Sequence, residues 1–277
     1  MVRDIIILIA VFMIIPVNGS SDYISDYRNK CNELIMAGQS IEDDQRLWQL
    51  FDANWKYQMK ASPESATWRG YPGQNHRWSD LSLQALNDGK EIDRLTLKTI
   101  LSIKRSKLSE ENQLNYDLFR RNAEMAVEKQ QFPGDYLVIN QMEGLPRDVP
   151  SMIEMMPRSN IEDYEAILLR LSGIPKLIDQ TIVLLQEGMA RGIVPPKIPL
   201  RTLSDQVAGQ IQKVAFDSPM LSSFRSFPSS ISKKEQDSLK QSAKNSYIDE
   251  VKPAMERLHL FIRDEYVPKC RESVGRS

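Results

Sequence analysis

The chain has 277 residues, of which 41% are hydrophobic and 26% are charged, and its formal net charge is −1. This composition is typical of a globular protein, and the length allows one large or two modest domains with a sizeable core. The near-neutral charge excludes an electrostatic basis for binding nucleic acid or an anionic membrane surface.

The first residues have the layout of a secretory signal peptide. Arg3 is followed by an apolar run from Ile5 to Ile15, and then by small or polar residues as far as Ser20. The run is shorter than the roughly 20 residues of a membrane-spanning helix, so an uncleaved anchor is the weaker alternative. We therefore predict a signal peptide over residues 1–20, a helical domain over 21–277, and export to the periplasm or the extracellular space. No cysteine stands near the end of the run, which argues against lipid attachment there.

The two cysteines, Cys31 and Cys270, lie near opposite ends of the chain. An exported compartment permits a disulfide that would join the terminal helices. Two buried free thiols are the favoured interpretation, because a large helical core does not need such a bond. The sequence has no Cys-x-x-C redox or zinc motif.

Amphipathic helical patterns follow one another along the chain, and no two β-rich runs are joined by a hairpin signal. In a helix predicted over residues 40–60 and capped by Ser40, the aromatic side chains recur at helical spacing, which indicates core packing rather than a cofactor site. The predicted stripe consists of Leu47, Phe51, Trp55 and Met59. We predict an all-α fold, an irregular multi-helix bundle with long amphipathic helices and two or three structured loops.

Other helix boundaries are predicted from capping and turn residues. Asn-Asp-Gly at 87–89 predicts a turn between two helices, and Ser-x-x-Glu at 159–162 and at 232–235 predicts capping boxes. Residues 136–139 form either a brief strand or extended chain, and a short helix is predicted over 151–156. Further on, Pro175 suits the start of a new helix, and Pro253 predicts a bend in the last long one.

The segment from Pro63 to Asp80, PESATWRGYPGQNHRWSD, is the least helix-like part of the chain and the best candidate for a site. Its aromatic rings would stack on a substrate, and Arg69 or Arg77 would bind a carboxylate. The alternative, which we favour, is a structured loop whose polar side chains satisfy its own backbone. The candidate cleft contacts are Trp68, Arg69, Tyr71, His76, Arg77, Trp78 and Asp80.

A complete catalytic or metal-binding motif is missing from the sequence. Its two histidines, His76 and His259, are far apart, and it lacks His-Glu-x-x-His, Gly-x-Ser-x-Gly and a phosphate-binding glycine loop. The second histidine lies in the apolar stretch LHLFI, which is typical of a core residue. We therefore predict no catalytic residue, no metal ligand and no cofactor in this chain.

Several motifs in order along the chain resemble those of one bacterial family. They are Pro63 to Thr67 with Gly70, Arg77 to Asp80, Asn140-Gln141-x-x-Gly144, Asp163-Tyr164 leading to Arg170-Leu171, Ile174-Pro175 to Asp179-Gln180, Gly188-x-x-x-Gly192 with Pro195-Pro196, and Tyr266 to Pro268. Each motif is weak alone, whereas their order and spacing over nearly all of residues 21–277 make the match specific. On these residues the chain resembles the bacterial family called domain of unknown function eight-eight-five.

The resemblance implies an exported, largely helical protein similar to zinc-dependent, carboxypeptidase-like metallopeptidases. Members of the family are usually much longer, and their His-Glu-x-x-His motif lies in the second half. The present chain resembles the N-terminal half alone, as a truncated or split gene product or a shortened relative would. No metal ligand or catalytic glutamate is therefore carried over, and zinc is expected only with a separately encoded C-terminal half as partner.

Two functions of different classes follow from these observations. The chain is the non-catalytic half of a secreted metallopeptidase-like protein and forms one wall of a peptide-binding cleft, or it is a stand-alone helical binding or structural protein. A product that does not fold stably is a third, less favoured outcome. None of these involves nucleic acid, or a membrane beyond the signal peptide. A downstream reading frame that encodes His-Glu-x-x-His would favour the first function.

Overall fold

The computed structural model describes residues 19–38, 40–140 and 144–274, with side chains from Tyr23 onward. These residues form an all-α fold, as predicted, and their only β-type pairing is one isolated parallel bridge between Pro196 and Arg271. The predicted signal peptide lies almost entirely outside the described residues and stays a prediction.

The helices follow one another with short 3₁₀ and π-helical turns between some of them. They are α1 (Gly19–Ala37), α2 (Asp43–Ala61), α3 (Pro63–Trp68), α4 (Leu83–Leu101), α5 (Glu110–Lys129), α6 (Leu145–Met155), α7 (Ile161–Ser172), α8 (Ile174–Ala190), α9 (Leu203–Ala208), α10 (Lys233–Ser246), α11 (Lys252–Phe261) and α12 (Val267–Lys269).

Buried apolar side chains form two clusters. The N-terminal cluster has its members between Tyr27 and Ala123, and the C-terminal cluster has its members between Ile139 and Cys270. Helix α4 packs along α1 and α5 in the first cluster, and α7 packs on α10 and α8 on α11 in the second. Each fully buried large apolar side chain contributes about 1.5–3 kcal/mol, so these two cores, rather than helix propensity alone, stabilise the helices.

Helix α2 begins later than predicted, at Asp43. Ser40 does not cap it, since its hydroxyl donates back to the carbonyl of Ala37 at 2.7 Å. A buried arginine, Arg46, explains the shift: its guanidinium donates to the Leu34 carbonyl at 2.8 and 3.1 Å and pairs with Asp43 at 2.7 Å. The first turn of α2 is thereby fixed against the last turn of α1.

The predicted aromatic stripe of α2 is only partly buried. Leu47 and Met59 lie in the core, as predicted, and Phe51 is half-buried, but Trp55 is 45% exposed. Trp55 was predicted to pack in the core, and this was wrong, because the buried face of α2 passes through Leu50 rather than Trp55.

Helix α4 is one continuous helix, and the turn predicted at 87–89 is wrong. Ser82 caps the helix, its hydroxyl accepting the N–H of Ala85 at 3.2 Å. Gly89 lies inside the helix, where a glycine costs about 1 kcal/mol relative to alanine. Burial of Ile92 on the core face outweighs that cost.

The remaining boundaries agree in part with the prediction. The capping box at 232–235 is present, whereas α7 is capped by Asn160, which accepts the N–H of Asp163 at 2.8 Å, so the box at 159–162 is wrong. Helix α6 begins before residue 151. Residues 134–136 form a 3₁₀ turn and residues 137–139 are not in a strand, so of the two alternatives for residues 136–139 the strand is wrong. Pro253 lies in the first turn of α11, directly after the π-helical turn that follows α10, so the proline and the irregular turn interrupt the regular helix at the same place.

Both cysteines are buried free thiols, in agreement with the favoured interpretation. Cys31 belongs to the N-terminal cluster and Cys270 to the C-terminal cluster, so a disulfide does not join them. Burial raises the pKa of both thiols, that of Cys270 to about 11.

Candidate functional site

The segment from residue 63 to residue 80 leaves α2, crosses to the C-terminal cluster and returns to α4. It is not loop throughout, because Pro63 begins the short helix α3. Gly70 and Gly73 follow with φ of 69° and 78°, a left-handed conformation that other residues adopt at a cost. These two turns reverse the chain, and Trp78 packs against the C-terminal cluster.

Arg170, on α7, holds this segment from the inside. Its side chain is fully buried, and its guanidinium donates to Thr67 Oγ1 at 3.0 Å, to the Gln74 carbonyl at 3.1 Å and to the Arg77 carbonyl at 2.7 and 3.1 Å. Only the rigid five-donor fork of arginine reaches three separate acceptors in this way. Burial lowers the pKa of Arg170 to about 10, while the carboxylate of Glu64 opposes this effect, so the group stays charged at neutral pH.

Sequence reasoning quoted Arg170 only as part of a family motif and missed its role. A signal was present, since Tyr164, Ile167 and Leu171 are buried on the same face of α7. A charged residue at position 170 therefore interrupts a core stripe, and a charge in a core needs a partner.

Trp78 is fixed against the junction of α7 and α8. Its indole N–H donates to the Arg170 carbonyl at 2.7 Å, and the Arg170 guanidinium lies 5.0 Å from the ring centroid. A Cβ on Gly173 would stand 2.9 Å from Trp78 Cδ1, so the close approach of the ring requires a glycine at this position. The Trp78 ring is therefore held in one orientation by its hydrogen bond and by its packing.

Asp80 ends the segment and is tied to α8. Its Oδ1 accepts the Ser82 N–H at 2.9 Å and the Gln180 side-chain N–H at 2.6 Å, and Lys176 Nζ lies 3.8 Å from Oδ2. Gln180 in turn accepts the N–H of Leu81 at 3.0 Å. Although desolvation raises the pKa of Asp80, the hydrogen bonds from Ser82 and the charge of Lys176 hold it below the usual range.

Arg77 is oriented by its own segment. Its Nε and Nη2 donate to Gln74 Oε1 at 3.0 and 2.7 Å, and Nη2 also donates to the carbonyl of Lys60. Next to it, His76 is exposed, yet partial desolvation and the positive charges of Arg77 and Arg170 lower its pKa. The imidazole is therefore mainly neutral at pH 7 and surrounded by positive charge.

An open cleft of about 430 Å³ lies between this segment, the start of α1 and the start of α8. Tyr23 and Lys60 line it on one side, and Lys176 and Leu177 on the other. Four of the seven candidate residues contribute to its lining, namely His76, Arg77, Trp78 and Asp80. Sequence reasoning missed the lining residues from α1, α2 and α8, because they come from distant segments that carry no motif.

The other three candidate residues lie away from this cleft. Trp68 is 67% exposed, and the guanidinium of Arg69 lies 5.6 Å from its ring. Tyr71 contacts the ring of Trp55 edge-on, with the centroids 6.5 Å apart. The candidate set therefore divides into a cleft group and an exposed aromatic group.

The second histidine is also outside the cleft. His259 is half-buried, and its Nδ1 lies 3.1 Å from the Ser204 carbonyl, so it is bonded within the C-terminal half as a structural residue. Over the described ranges, no three His, Cys, Asp or Glu side chains come together as a metal site would require. In the same ranges, no helix is both long and apolar enough to cross a membrane.

The family model described as "Bacterial protein of unknown function (DUF885)" matches residues 63–277, starting at Pro63. The chain belongs to the DUF885 family. Among solved structures it is similar to the "putative lipoprotein" from Colwellia psychrerythraea, with a TM-score of 0.70 and 18% identity. That match covers 85% of this chain and 43% of the other, so the chain spans less than half the length of that structure. At this identity the likeness shows the fold alone. No curated protein matches.

In this DUF885 protein, several motif residues that carry the resemblance meet around one segment. Thr67, Trp78 and Asp80 are bonded to Arg170 or Gln180, which belong to motifs on α7 and α8. The motifs are spread over more than a hundred positions of sequence and are joined by the packing of residues 63–80 onto α7 and α8. Their common property is a shared set of hydrogen bonds that fixes one wall of the cleft.

Proposed function

We propose that this DUF885 protein is exported and forms a non-catalytic helical wall in a larger metallopeptidase-like assembly. The observation that carries the proposal is the match in fold over 85% of this chain but only 43% of the longer solved structure. In this view a further segment or partner holds the zinc, and the wall contributes binding and positioning. Peptide is the ligand class that the proposal assigns to the cleft.

The cleft supports a binding role for the wall. Arg170 and Gln180 fix the backbone of the segment, so Trp78 and Arg77 are held in place before any ligand arrives. Binding is stronger when a site is ordered in advance, because less conformational entropy is lost. A basic and aromatic surface of this kind suits a peptide with an acidic group or a free carboxylate.

A stand-alone binding protein is the second candidate function. One observation favours it: four separate parts of this chain, α1, α2, α8 and the segment before α4, together form the cleft. Ligand binding would then need no second half. The two candidates differ in whether catalysis appears when that half is supplied.

The test compares the purified chain alone with the chain co-expressed with a C-terminal, His-Glu-x-x-His-containing segment from the adjacent reading frame or from a longer DUF885 protein. Zinc content is measured by mass spectrometry and hydrolysis with a mixture of peptides. We expect neither stoichiometric zinc nor hydrolysis from the chain alone, and both from the complex. One-to-one zinc with hydrolysis by the chain alone would overturn the proposal. Failure of every such segment to associate would favour the stand-alone binding protein.

Export is proposed from the apolar run that precedes Ser20. The first cysteine of the chain, Cys31, lies in the middle of α1 and is fully buried, which favours export without a lipid on that thiol. Cell fractionation followed by mass spectrometry of the intact protein tests this proposal. We expect an exported form whose first residue is near Gly19 or Ser20 and whose mass includes no lipid. A full-length cytoplasmic form would contradict it.

A further inference from the structure

We propose that the cleft between residues 73–80, α1 and α8 binds a small ligand that carries an oxyanion, a carboxylate or phosphate group, on an apolar body. This inference rests on the proposed function, which makes the same segment a binding wall, and it adds the chemistry of the ligand. It depends on the charge of the lining, on the donors that the lining leaves free, and on the apolar surface beside them.

The charge of the described lining is strongly one-sided. Lys60, Arg77 and Lys176 line the cleft, and Asp80 is the one acidic side chain among the described lining residues. That carboxylate is already bound by the Ser82 N–H and by Gln180. Three cations and one occupied anion line the cleft, and the carboxylate of Glu64 behind it is bound by the Ser79 N–H and hydroxyl, on a chain whose formal net charge is only −1. The cleft is therefore a local positive site rather than part of a basic surface.

The same cations have donors to spare. Within the described part of the chain, neither Arg77 Nη1 nor Lys60 Nζ has a side-chain or backbone partner. Lys176 is 73% exposed and lies 3.8 Å from Asp80, a distance at which its ammonium can turn to a ligand. Arg77 is nevertheless fixed through Nε and Nη2, so its free Nη1 is presented in one orientation. A fixed guanidinium N–H is suited to a charge-assisted hydrogen bond with one oxygen of a carboxylate or phosphate, and the nearby ammonium groups can meet the other oxygens.

Apolar surface lies next to these donors. Trp78, Leu177 and Tyr23 line the cleft, and the tyrosine ring centroid is 5.9 Å from the guanidinium carbon of Arg77. The cleft volume of about 430 Å³ is within the range of small-molecule sites. A ligand with an aromatic or aliphatic body would cover this surface while its oxyanion meets the cations. The lowered pKa of His76, due to desolvation and then to Arg77 and Arg170, agrees with the positive potential of the site.

The chain offers a convenient reporter, since it has only two histidines. We would titrate the chain, without metal or partner, with phenylacetate, phenyl phosphate and the neutral analogue phenylacetamide. Proton NMR would follow the rings of His76, in the cleft, and His259, outside it. The affinity is expected to fall about fivefold for each of Lys60→Gln and Lys176→Gln and to weaken with added salt. The exposed Lys98→Gln is the matched control and should leave the affinity unchanged.

The result expected is movement of the His76 signal with either acid, a rise in its pKa on binding, a fixed His259 signal, and binding of the amide at least about tenfold weaker. Tighter binding of phenylacetate identifies a carboxylate ligand, and tighter binding of phenyl phosphate a phosphate ligand. Equal binding of acid and amide, or unchanged affinity in the Lys60→Gln/Lys176→Gln double variant, would overturn the inference. The zinc and hydrolysis test of the proposed function uses a different readout, so the two proposals can fail separately.

Discussion

Burying the Arg170 guanidinium removes a charge from water, and only complete hydrogen bonding offsets that loss. Four hydrogen bonds, to the Thr67 hydroxyl and to the carbonyls of Gln74 and Arg77, provide this compensation. The two carbonyls lie outside any helix and receive from Arg170 the donor that a helix would otherwise supply. The guanidinium is thus the internal partner of a segment that lacks regular structure of its own.

Arg170→Ala is expected to reduce the free energy of unfolding by about 3 kcal/mol, because it leaves buried carbonyls without donors. Arg170→Lys should recover little of this loss, since one ammonium cannot reach all three acceptors. Urea unfolding followed by circular dichroism measures both changes. The exposed Arg94→Ala is the control and should stay within about 0.5 kcal/mol of the parent. Recovery of full stability in the lysine variant would contradict the role assigned to the fork.

The thiol of Cys270 offers a second test at the scale of one residue. With its pKa raised from 9.0 to about 11, its thiolate fraction at pH 8 is about a hundredfold lower than that of an ordinary cysteine. We expect native protein to resist iodoacetamide at Cys270, and protein unfolded in guanidinium chloride without reductant to react at both cysteines. Peptide mass spectrometry measures the labelling. Rapid labelling of Cys270 in the native state would contradict its burial, and a lack of labelling after unfolding would contradict the free thiols.

Sequence reasoning located the cleft segment but not the residues that complete it. His76, Arg77, Trp78 and Asp80 share one short segment of unusual composition, so composition alone predicted them. Lys176 is one charge among many on an amphipathic helix, and nothing local separates it from a solvated surface lysine. Its role follows from the packing of α8 against the segment, which is a tertiary contact.

At the scale of elements, the break between α7 and α8 creates the position that Trp78 occupies. Gly173 stands at the break, and Pro175 in the next helix lacks an N–H for the preceding turn. The Arg170 carbonyl accepts the indole N–H in addition to the N–H of Gly173. Both helix-breaking residues are visible in the sequence, and the start of a helix near Pro175 was predicted correctly. Their role depends on the ring of Trp78, which stands 92 residues before Arg170.

Two glycines in helical surroundings should respond oppositely to alanine. Gly89→Ala in α4 meets no atom within 4 Å and should stabilise the protein by about 0.5–1 kcal/mol, the usual difference in helix propensity. Gly173→Ala brings a Cβ to 2.9 Å from Trp78 Cδ1 and should destabilise it by about 1–2 kcal/mol, since the ring is fixed by its hydrogen bond. Urea unfolding measures both, and a gain in stability for both would show that the ring can move aside.

At the scale of the whole molecule, the buried side chains form two clusters, and the segment from residue 63 to residue 80 connects them. Sequence periodicity predicted the all-α class correctly, because each helix has an apolar face of its own. It did not predict two clusters, since periodicity says which side of a helix is buried and not which helix it meets. The segment from residue 63 to residue 80 lies in the N-terminal half of the sequence, but its hydrogen bonds join it to α7 and α8 in the C-terminal half.

This arrangement predicts how the two halves unfold. All four tryptophans lie between Trp48 and Trp78, so fluorescence reports the N-terminal half and the cleft segment, whereas circular dichroism in the far ultraviolet reports helices throughout. In the parent protein the two signals should give the same urea midpoint, because the segment couples the clusters. In Arg170→Ala the urea midpoint measured by fluorescence should fall further than the midpoint measured by circular dichroism. The segment then detaches from α7 and α8 at a lower urea concentration, while the C-terminal helices keep their core.

The matched control is Leu185→Ala, a cavity in the C-terminal cluster away from the segment's hydrogen bonds. It should cost about 3 kcal/mol, comparable to the arginine variant, and should lower both midpoints together because the coupling is intact. Coincident midpoints in Arg170→Ala, at a loss of stability equal to that of the control, would show that Arg170 stabilises the fold without joining its halves. Separate midpoints already in the parent would show that the two clusters unfold independently and that the cleft between them is not rigid.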